Sequence, residues 1–204
     1  MTDRLDLDAV AAYDPETERN DEEAAVLVPV VRTDAGDELV FTERTAHLST
    51  HPGEMSFPGG GREPADVDLW ETARREAHEE VGIGPTETER VGQLDDVPSH
   101  FRYLVRPYVA TVPDREYEPT SGEVARVVRA SVDRLTDPAN YARERRAHPD
   151  EGSFSFHVFT LADDAVVWGL TGHILAELLG VATDWDPDVE VREVDYEEPW
   201  PHER

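Results

Sequence analysis

Between Arg75 and Gly82 the chain reads Arg-Glu-Ala-His-Glu-Glu-Val-Gly, and this octet limits the fold more than any other stretch. Positions three and four apart are neighbours on an α-helix, so Glu76, Glu79 and Glu80 project to one side. Like charges at that spacing destabilise by roughly a few tenths of a kcal/mol per pair unless something compensates them. Arg75 offsets part of this through Glu79. Ala73, Ala77 and Val81 recur at four-residue spacing on the opposite side, which suits packing against a sheet. Gly82 supplies a helix stop. The acidic side therefore points away from the sheet and asks for a cation.

Just upstream, Pro58-Gly59-Gly60-Gly61 predicts a turn whose bare backbone can approach phosphate and lend a carbonyl to a metal. Mg2+ and Mn2+ take oxygen ligands, usually one or two carboxylates completed by phosphate oxygens and water. Glu76 and Glu80, one helical turn apart, supply such a pair, and Glu79 is close enough to join or to act through water. The competing reading in so acidic a chain is a solvated acidic face. The helix-interior Arg75 and the glycine turn argue against it.

The formal net charge is -27 over 204 residues, and every one of the 19 basic residues is Arg. Such a surface is expected of a protein from a salt-rich, halophilic setting, where repulsion is screened and hydrated carboxylates maintain solubility. It argues against nonspecific binding to nucleic acid or an anionic membrane, because counterion release would have the wrong sign. No cysteine is present, which excludes disulfides and thiolate metal sites. No apolar stretch approaches the ~20 residues that span a bilayer, and the first ten residues lack a signal pattern. A cytoplasmic location is the resulting expectation.

Along the chain, residues 1–23 read as an acidic N-terminal arm, a short helix or a frayed segment, 24–182 as one cored domain and 183–204 as a loosely packed acidic tail. Ala25–Arg32 and Glu38–Glu43 predict a hairpin, and a helix is expected from about Leu69 to Val81. Strands follow near Arg90–Val97 and Leu104–Val112, the latter carrying Pro107, which suggests an edge position or an irregular ladder. A strand over Glu123–Val132 leads into a short helix, and further strands are expected at Phe154–Leu161 and Ala165–Trp168. Thr171 is the expected N-cap of a final helix bearing Ile174, Leu175, Leu178 and Leu179. The pattern predicts an α+β chain, an α/β/α sandwich around a mixed β-sheet.

The octet resembles the second half of the Nudix hydrolase box, with Arg75, Glu76, Glu79, Glu80, Gly82 and Ile83 in register and Ala77 at an aliphatic position. The first half departs from the pattern. Counting back from Arg75 puts Gly61 at the box glycine but Val67 where a glutamate is expected; aligning Gly60 instead puts Asp66 there, with one extra residue before Arg75. A narrower likeness is to the coenzyme A pyrophosphatase branch. Phe41-Thr42-Glu43-Arg44, the run Leu48 to Gly60, Gly122-Glu123-Val124 and Val167-Trp168-Gly169-Leu170-Thr171 are similar to its signature segments.

The resemblance implies a Nudix-like sandwich and a metal-dependent diphosphohydrolase using Mg2+ or Mn2+. It implies Glu76 and Glu80 as principal ligands, Glu79 as ligand or base and the Gly60 carbonyl as a further ligand. Arg75 is expected to orient the glutamates. Glu123 is a base, a further metal contact or an exposed strand residue. Arg44, His51, Ser56 and Phe57 are expected at the substrate, although His51 could equally make a structural hydrogen bond. The expected partner is a CoA-like nucleotide, with coenzyme A or acyl-CoA cleaved to 3',5'-ADP and (acyl-)4'-phosphopantetheine. The alternatives are another nucleoside diphosphate derivative (ADP-ribose, NADH or a nucleoside triphosphate) and a non-catalytic nucleotide-binding module. A homodimer is left open.

Overall fold

The computed structural model describes residues 3–20, 22–47, 52–99, 103–148, 152–161 and 165–203. In chain order the elements are α1 (Leu7–Ala12), β1 (Glu23–Thr33), β2 (Gly36–Arg44), β3 (Met55–Ser56), β4 (Gly59–Gly61), α2 (Leu69–Val81), β5 (Glu89–Gln93), β6 (Val97–Pro98), β7 (Leu104–Val112) and β8 (Val124–Ser131). There follow α3 (Val132–Thr136), a 3-10 turn at Pro138–Asn140, β9 (Tyr141–His148), β10 (Gly152–Thr160), β11 (Val166–Val167), α4 (Gly169–Ala182), β12 (Val191–Val194) and a last 3-10 turn at Pro201–Glu203.

Strand β1 organises the larger, mixed sheet. It pairs parallel with β7 along its length, antiparallel with β2 at its C-terminal end and antiparallel with β4 at its N-terminal end. β2 continues outward to β3 and β8, and β7 to β5 and β6. Because successive side chains alternate across a strand, β1 feeds two cores. Ala25, Leu27 and Val31 meet Ala73, Ala77 and Val81 of α2, while Val28 and Val30 share a cluster with Ile174, Leu175, Leu178 and Leu179 of α4. The architecture is therefore the expected sandwich: one sheet with α2 on one face and α1 and α4 on the other. A second sheet, ordered β11-β10-β9-β12, packs beside α4.

Helix α2 forms where its local signals place it. Asp68 caps it by accepting from the Glu71 N–H at 2.8 Å, and Gly82 ends it at φ 68° with its N–H on the His78 carbonyl. Alanines at 73 and 77 let the helix lie close to β1, so a larger side chain there would lift α2 from the sheet.

Several expectations are corrected. Of the two alternatives for Pro107 the edge position fails, since β7 lies between β1 and β5, and the irregular ladder holds, since the β5–β7 register shifts between Arg90 and Gly92 and β6 takes over beyond it. The Pro107 carbonyl accepts from the Leu94 N–H, so its own nitrogen faces the side where β5 has ended and β6 has not begun, and no ladder donor is missed there. Thr171 is buried inside α4, whose N-cap position is Trp168. The C-terminal segment is not loose: β12 pairs parallel with β9, and Trp200 stacks on Trp168 at 4.9 Å. Toward the N-terminus, Leu5 and Val10 are buried in the α4 cluster. No helix among the described residues is long and apolar enough to cross a membrane.

Candidate active site

The site begins with a close approach of two backbones. β4 is pinned to β1 by the pairs Ala24 with Gly61, Ala25 with Gly60 and Val26 with Gly59. A Cβ on Gly59 would strike the Ala25 carbonyl oxygen and lie 2.6 Å from Val26 Cα; one on Gly60 would lie 2.5 Å from the Glu76 carboxylate. A side chain at 59 would push β4 off β1, and one at 60 would displace the Glu76 carboxylate from the turn. Glycine here brings the backbone against the acids of α2.

Those acids occupy unequal surroundings. Glu80 is 7% exposed and accepts from the Gly59 N–H at 3.2 Å. Burial pushes its pKa up to about 8, with the neighbouring charges of Glu76 and Glu123 adding to the rise and the Gly59 N–H and Arg44 opposing it. Glu76 is raised in the same direction, chiefly by burial, while Arg75 pulls it back. Two adjacent carboxylates of low solvation suit a hard cation, since a positive charge beside them would remove both the burial penalty and their mutual repulsion. Their all-oxygen character, with backbone carbonyls of β4 alongside, fits Mg2+ or Mn2+. Among the described residues no three carboxylate or imidazole groups are already gathered into a cage. Completing a cation's shell would therefore fall to substrate oxygens and water.

Arg75 ties the turn to the helix. Its Nε and Nη2 donate to Asp66 Oδ1 and Oδ2 at 3.0 and 3.1 Å, Nη2 also reaches the Gly61 carbonyl at 3.0 Å, and Nη1 reaches Glu76 Oε1 at 2.9 Å. Glu79 receives a longer bond from the same Nη1, at 3.5 Å, and its side chain is 55% exposed. Asp66 is buried, also accepts from the Glu63 N–H and the Thr72 hydroxyl, and is lowered to about 2, chiefly by Arg75. Val67, by contrast, is 81% exposed. Of the two ways to count back from Arg75, the structure takes the one that makes Asp66 the upstream acid. The additional residue is absorbed in the loop before α2, where a buried, doubly held carboxylate can form without the spacing of the family pattern.

The other expected residues divide. Arg44, at the end of β2, acts electrostatically on Glu80, and its Nε is buried without a hydrogen bond. Glu123, just before β8, is exposed, yet its charge reaches both Glu76 and Glu80, and its carbonyl accepts from the Thr45 N–H. Ser56 on β3 shares a hydroxyl contact of 3.0 Å with Thr42. Phe57 is a correction: it is 2% exposed and stacked on Phe41 at 4.7 Å, so it supports the glycine turn from the core and offers no surface to a ligand. Its place next to Pro58-Gly59 in sequence suggests contact, but in the link between β3 and β4 its ring packs into the core against Phe41. His51 lies outside the described residues. Sequence reasoning missed Thr120, whose N–H meets the Glu80 carbonyl and whose hydroxyl meets the Glu79 carbonyl at 2.8 Å, closing the C-terminal turn of α2. Nothing in an isolated Pro-Thr-Ser loop marks that contact.

A glycine-apposed pair of glutamates, one buried and one half-buried, on the helix that covers a mixed sheet defines a class of hydrolase, and comparison with known proteins identifies it. The NUDIX domain family model matches residues 22–151, so the chain belongs to the Nudix family. It is a pyrophosphohydrolase of that family. A protein named "Uncharacterized Nudix hydrolase NudL" from Enterobacter sp. (strain 638) is 36% identical over 165 residues, covering 78% of this chain and 82% of the relative. "Nudix hydrolase 15, mitochondrial" of Arabidopsis thaliana is 34% identical over 171 residues, 80% of this chain and 60% of that protein. Among solved structures, a NUDIX hydrolase from Nitrosomonas europaea superposes with a TM-score of 0.54 at 13% identity, over 88% of this chain and 81% of that one. At that identity the likeness concerns the fold alone.

Proposed function

We propose that the chain hydrolyses the diphosphate of coenzyme A or its thioesters to 3',5'-ADP and (acyl-)4'-phosphopantetheine, using residues 24–182 as the catalytic unit. The observation that carries the reading is the convergence of separated signature segments: Arg44 on β2 acts on Glu80, the Gly59 N–H meets Glu80, Gly60 lies against Glu76, Ser56 on β3 pairs with Thr42 of β2, and β11, which opens the Val167–Thr171 segment, contacts β3.

A divalent ion held by Glu76, Glu80 and the Gly60 carbonyl, with Glu79 at its edge, would neutralise charge developing on the phosphate oxygens. The protein supplies the rest. Arg44, whose charge already acts on Glu80, supplies a guanidinium suited to nonbridging oxygens. Arg75, locked by Asp66, holds Glu76 and the Gly61 carbonyl in place. Water attacks one phosphorus, the anhydride P–O bond breaks, and the water's proton passes to a carboxylate. We assign that role to Glu123, which has no ion pair among the described residues, whereas Glu79 is already shared with Arg75.

Purified protein incubated with CoA and Mg2+ or Mn2+ in concentrated KCl should yield 3',5'-ADP and 4'-phosphopantetheine, resolved by chromatography. Turnover of ADP-ribose or a nucleoside triphosphate with CoA untouched would remove the CoA assignment while leaving the diphosphohydrolase.

A further inference from the structure

Among the described residues Tyr103 is the one aromatic side chain with no ring partner, no cation over its face and no side-chain hydrogen bond. The ring is 41% exposed, whereas most aromatic rings of the chain are packed into pairs or under an arginine. Its backbone is nevertheless fixed. The Tyr103 carbonyl accepts from the Ser99 N–H at 2.8 Å, and the next N–H, that of Leu104, donates to the Glu22 carbonyl at 3.0 Å. A held backbone presents the ring in one fixed place, with a face free to be covered by a planar partner.

Its neighbour is the glycine turn. A Cβ on Gly61 would lie 3.9 Å from the Tyr103 ring, whereas one on Gly60 would meet the Glu76 carboxylate. Consecutive residues of β4 therefore face opposite ways, one toward the acids and the other toward the tyrosine. Because Gly61 has no side chain, the ring beside it stays uncovered. Every base has a π-face, and stacking on an aromatic side chain needs no hydrogen-bond code.

We propose that Tyr103 is the platform on which the base of the substrate stacks, making it a specificity residue for diphosphates bearing a planar heteroaromatic group. The proposal rests on the reading of the substrate as a nucleoside diphosphate derivative. It adds that the base end of the substrate lies over Gly61, on the side of β4 opposite Glu76. Binding there fixes which end of the diphosphate faces the glutamates and leaves kcat to the groups already described.

The test compares wild type with Tyr103→Phe, Tyr103→Leu and Tyr103→Ala. Steady-state kinetics are measured on CoA and on a diphosphate ester of pantetheine that lacks a base, and 3',5'-ADP binding is followed by calorimetry with chelator present. Tyr103→Ala and Tyr103→Leu should raise KM for CoA about tenfold and weaken 3',5'-ADP binding by a similar factor, with kcat within about twofold. Tyr103→Phe should match wild type, and the base-free ester should be turned over equally by all four proteins. Unchanged KM and 3',5'-ADP affinity in Tyr103→Ala, or an equal loss on the base-free ester, overturns the proposal. If wild type spares CoA and cleaves another nucleoside diphosphate, the CoA reading falls and the same variants decide the role of Tyr103 on that substrate.

Discussion

Asp37 and Glu80 are both carboxylates removed from water, and the protein treats them in opposite ways. Asp37, fully buried at the start of β2, accepts from Arg4 Nη1 and the Leu5 N–H, both at 3.0 Å, with Arg32 Nε at 3.4 Å. Every direction in which its charge could be solvated is filled by a donor, and those donors belong to the N-terminal segment and the hairpin it joins. Glu80 receives one backbone N–H and faces two further acids. A buried acid with cations around it is a joint; a buried acid among acids is a vacancy for charge. The contrast separates the structural carboxylates of a very acidic chain from those available for chemistry, which composition alone does not do.

The contrast can be broken most severely at Glu80. Glu80→Gln keeps the shape and the Gly59 contact, so activity should fall by at least about a thousandfold with loss of the cation's main ligand. Stability should move the other way: in chelator at pH 8, denaturant unfolding should show the variant about 1 to 3 kcal/mol more stable than wild type, because a costly buried charge is gone. The sign follows from the raised folded-state pKa. Glu80 is no burden below its ordinary 4.5, and it subtracts stability as pH rises from there through about 8. Retained activity, or a destabilised metal-free variant, would erase the distinction drawn from Asp37.

Asp37→Asn tests the other half. Removing that charge should cost about 2 to 3 kcal/mol in denaturant unfolding, with hydrolysis per folded molecule unchanged. A stabilised variant would mean that the two buried acids are not opposites after all. Asp66 sharpens the comparison because it is a joint lying inside the site. Asp66→Asn should loosen Arg75 and lower kcat about tenfold, with a stability loss of about 1 to 2 kcal/mol at neutral pH. Wild-type Asp66 contributes stability that is full above its ordinary 3.8 and is lost as pH falls through about 2. An acid titration of stability should therefore be shallower in Asp66→Asn over that range, and an unaltered acid limb would deny Asp66 its role as anchor.

Much of this arrangement was legible in the sequence because the signals were local. Helix α2 runs from Leu69 to Val81 as its spacing, cap and stop glycine predict, and Ala73, Ala77 and Val81 are its buried face. The hairpin of β1 and β2 and the strand β7 were readable for the same reason. Strand β9 was not, since Tyr-Ala-Arg-Glu-Arg-Arg-Ala-His has almost no apolar alternation. Its ladder is held instead by pairing with β10 and β12 and by Arg146, whose guanidinium meets the Glu198 and Pro199 carbonyls. The β12 pairing and the Arg146 contacts depend on residues about fifty positions away, beyond the reach of any pattern in a short window. Phe57 and Thr171 misled for a related reason: a motif fixes which residues are near a site in sequence, and the fold then decides where each side chain points. The family spacing likewise left Val67 and Asp66 open until the Arg75 fork was visible.

The N–H of Asp6 donates to the carbonyl of Ala182 at 2.7 Å, so the segment before α1 is fastened to the end of the last long helix. Until α4 is in place, Leu5, Val10, Val28 and Phe41 lack the surface that covers them in the finished molecule. Folding must therefore leave one face of the sheet half-clothed until α4 docks, an interval in which the chain's own negative charge keeps unfinished copies apart.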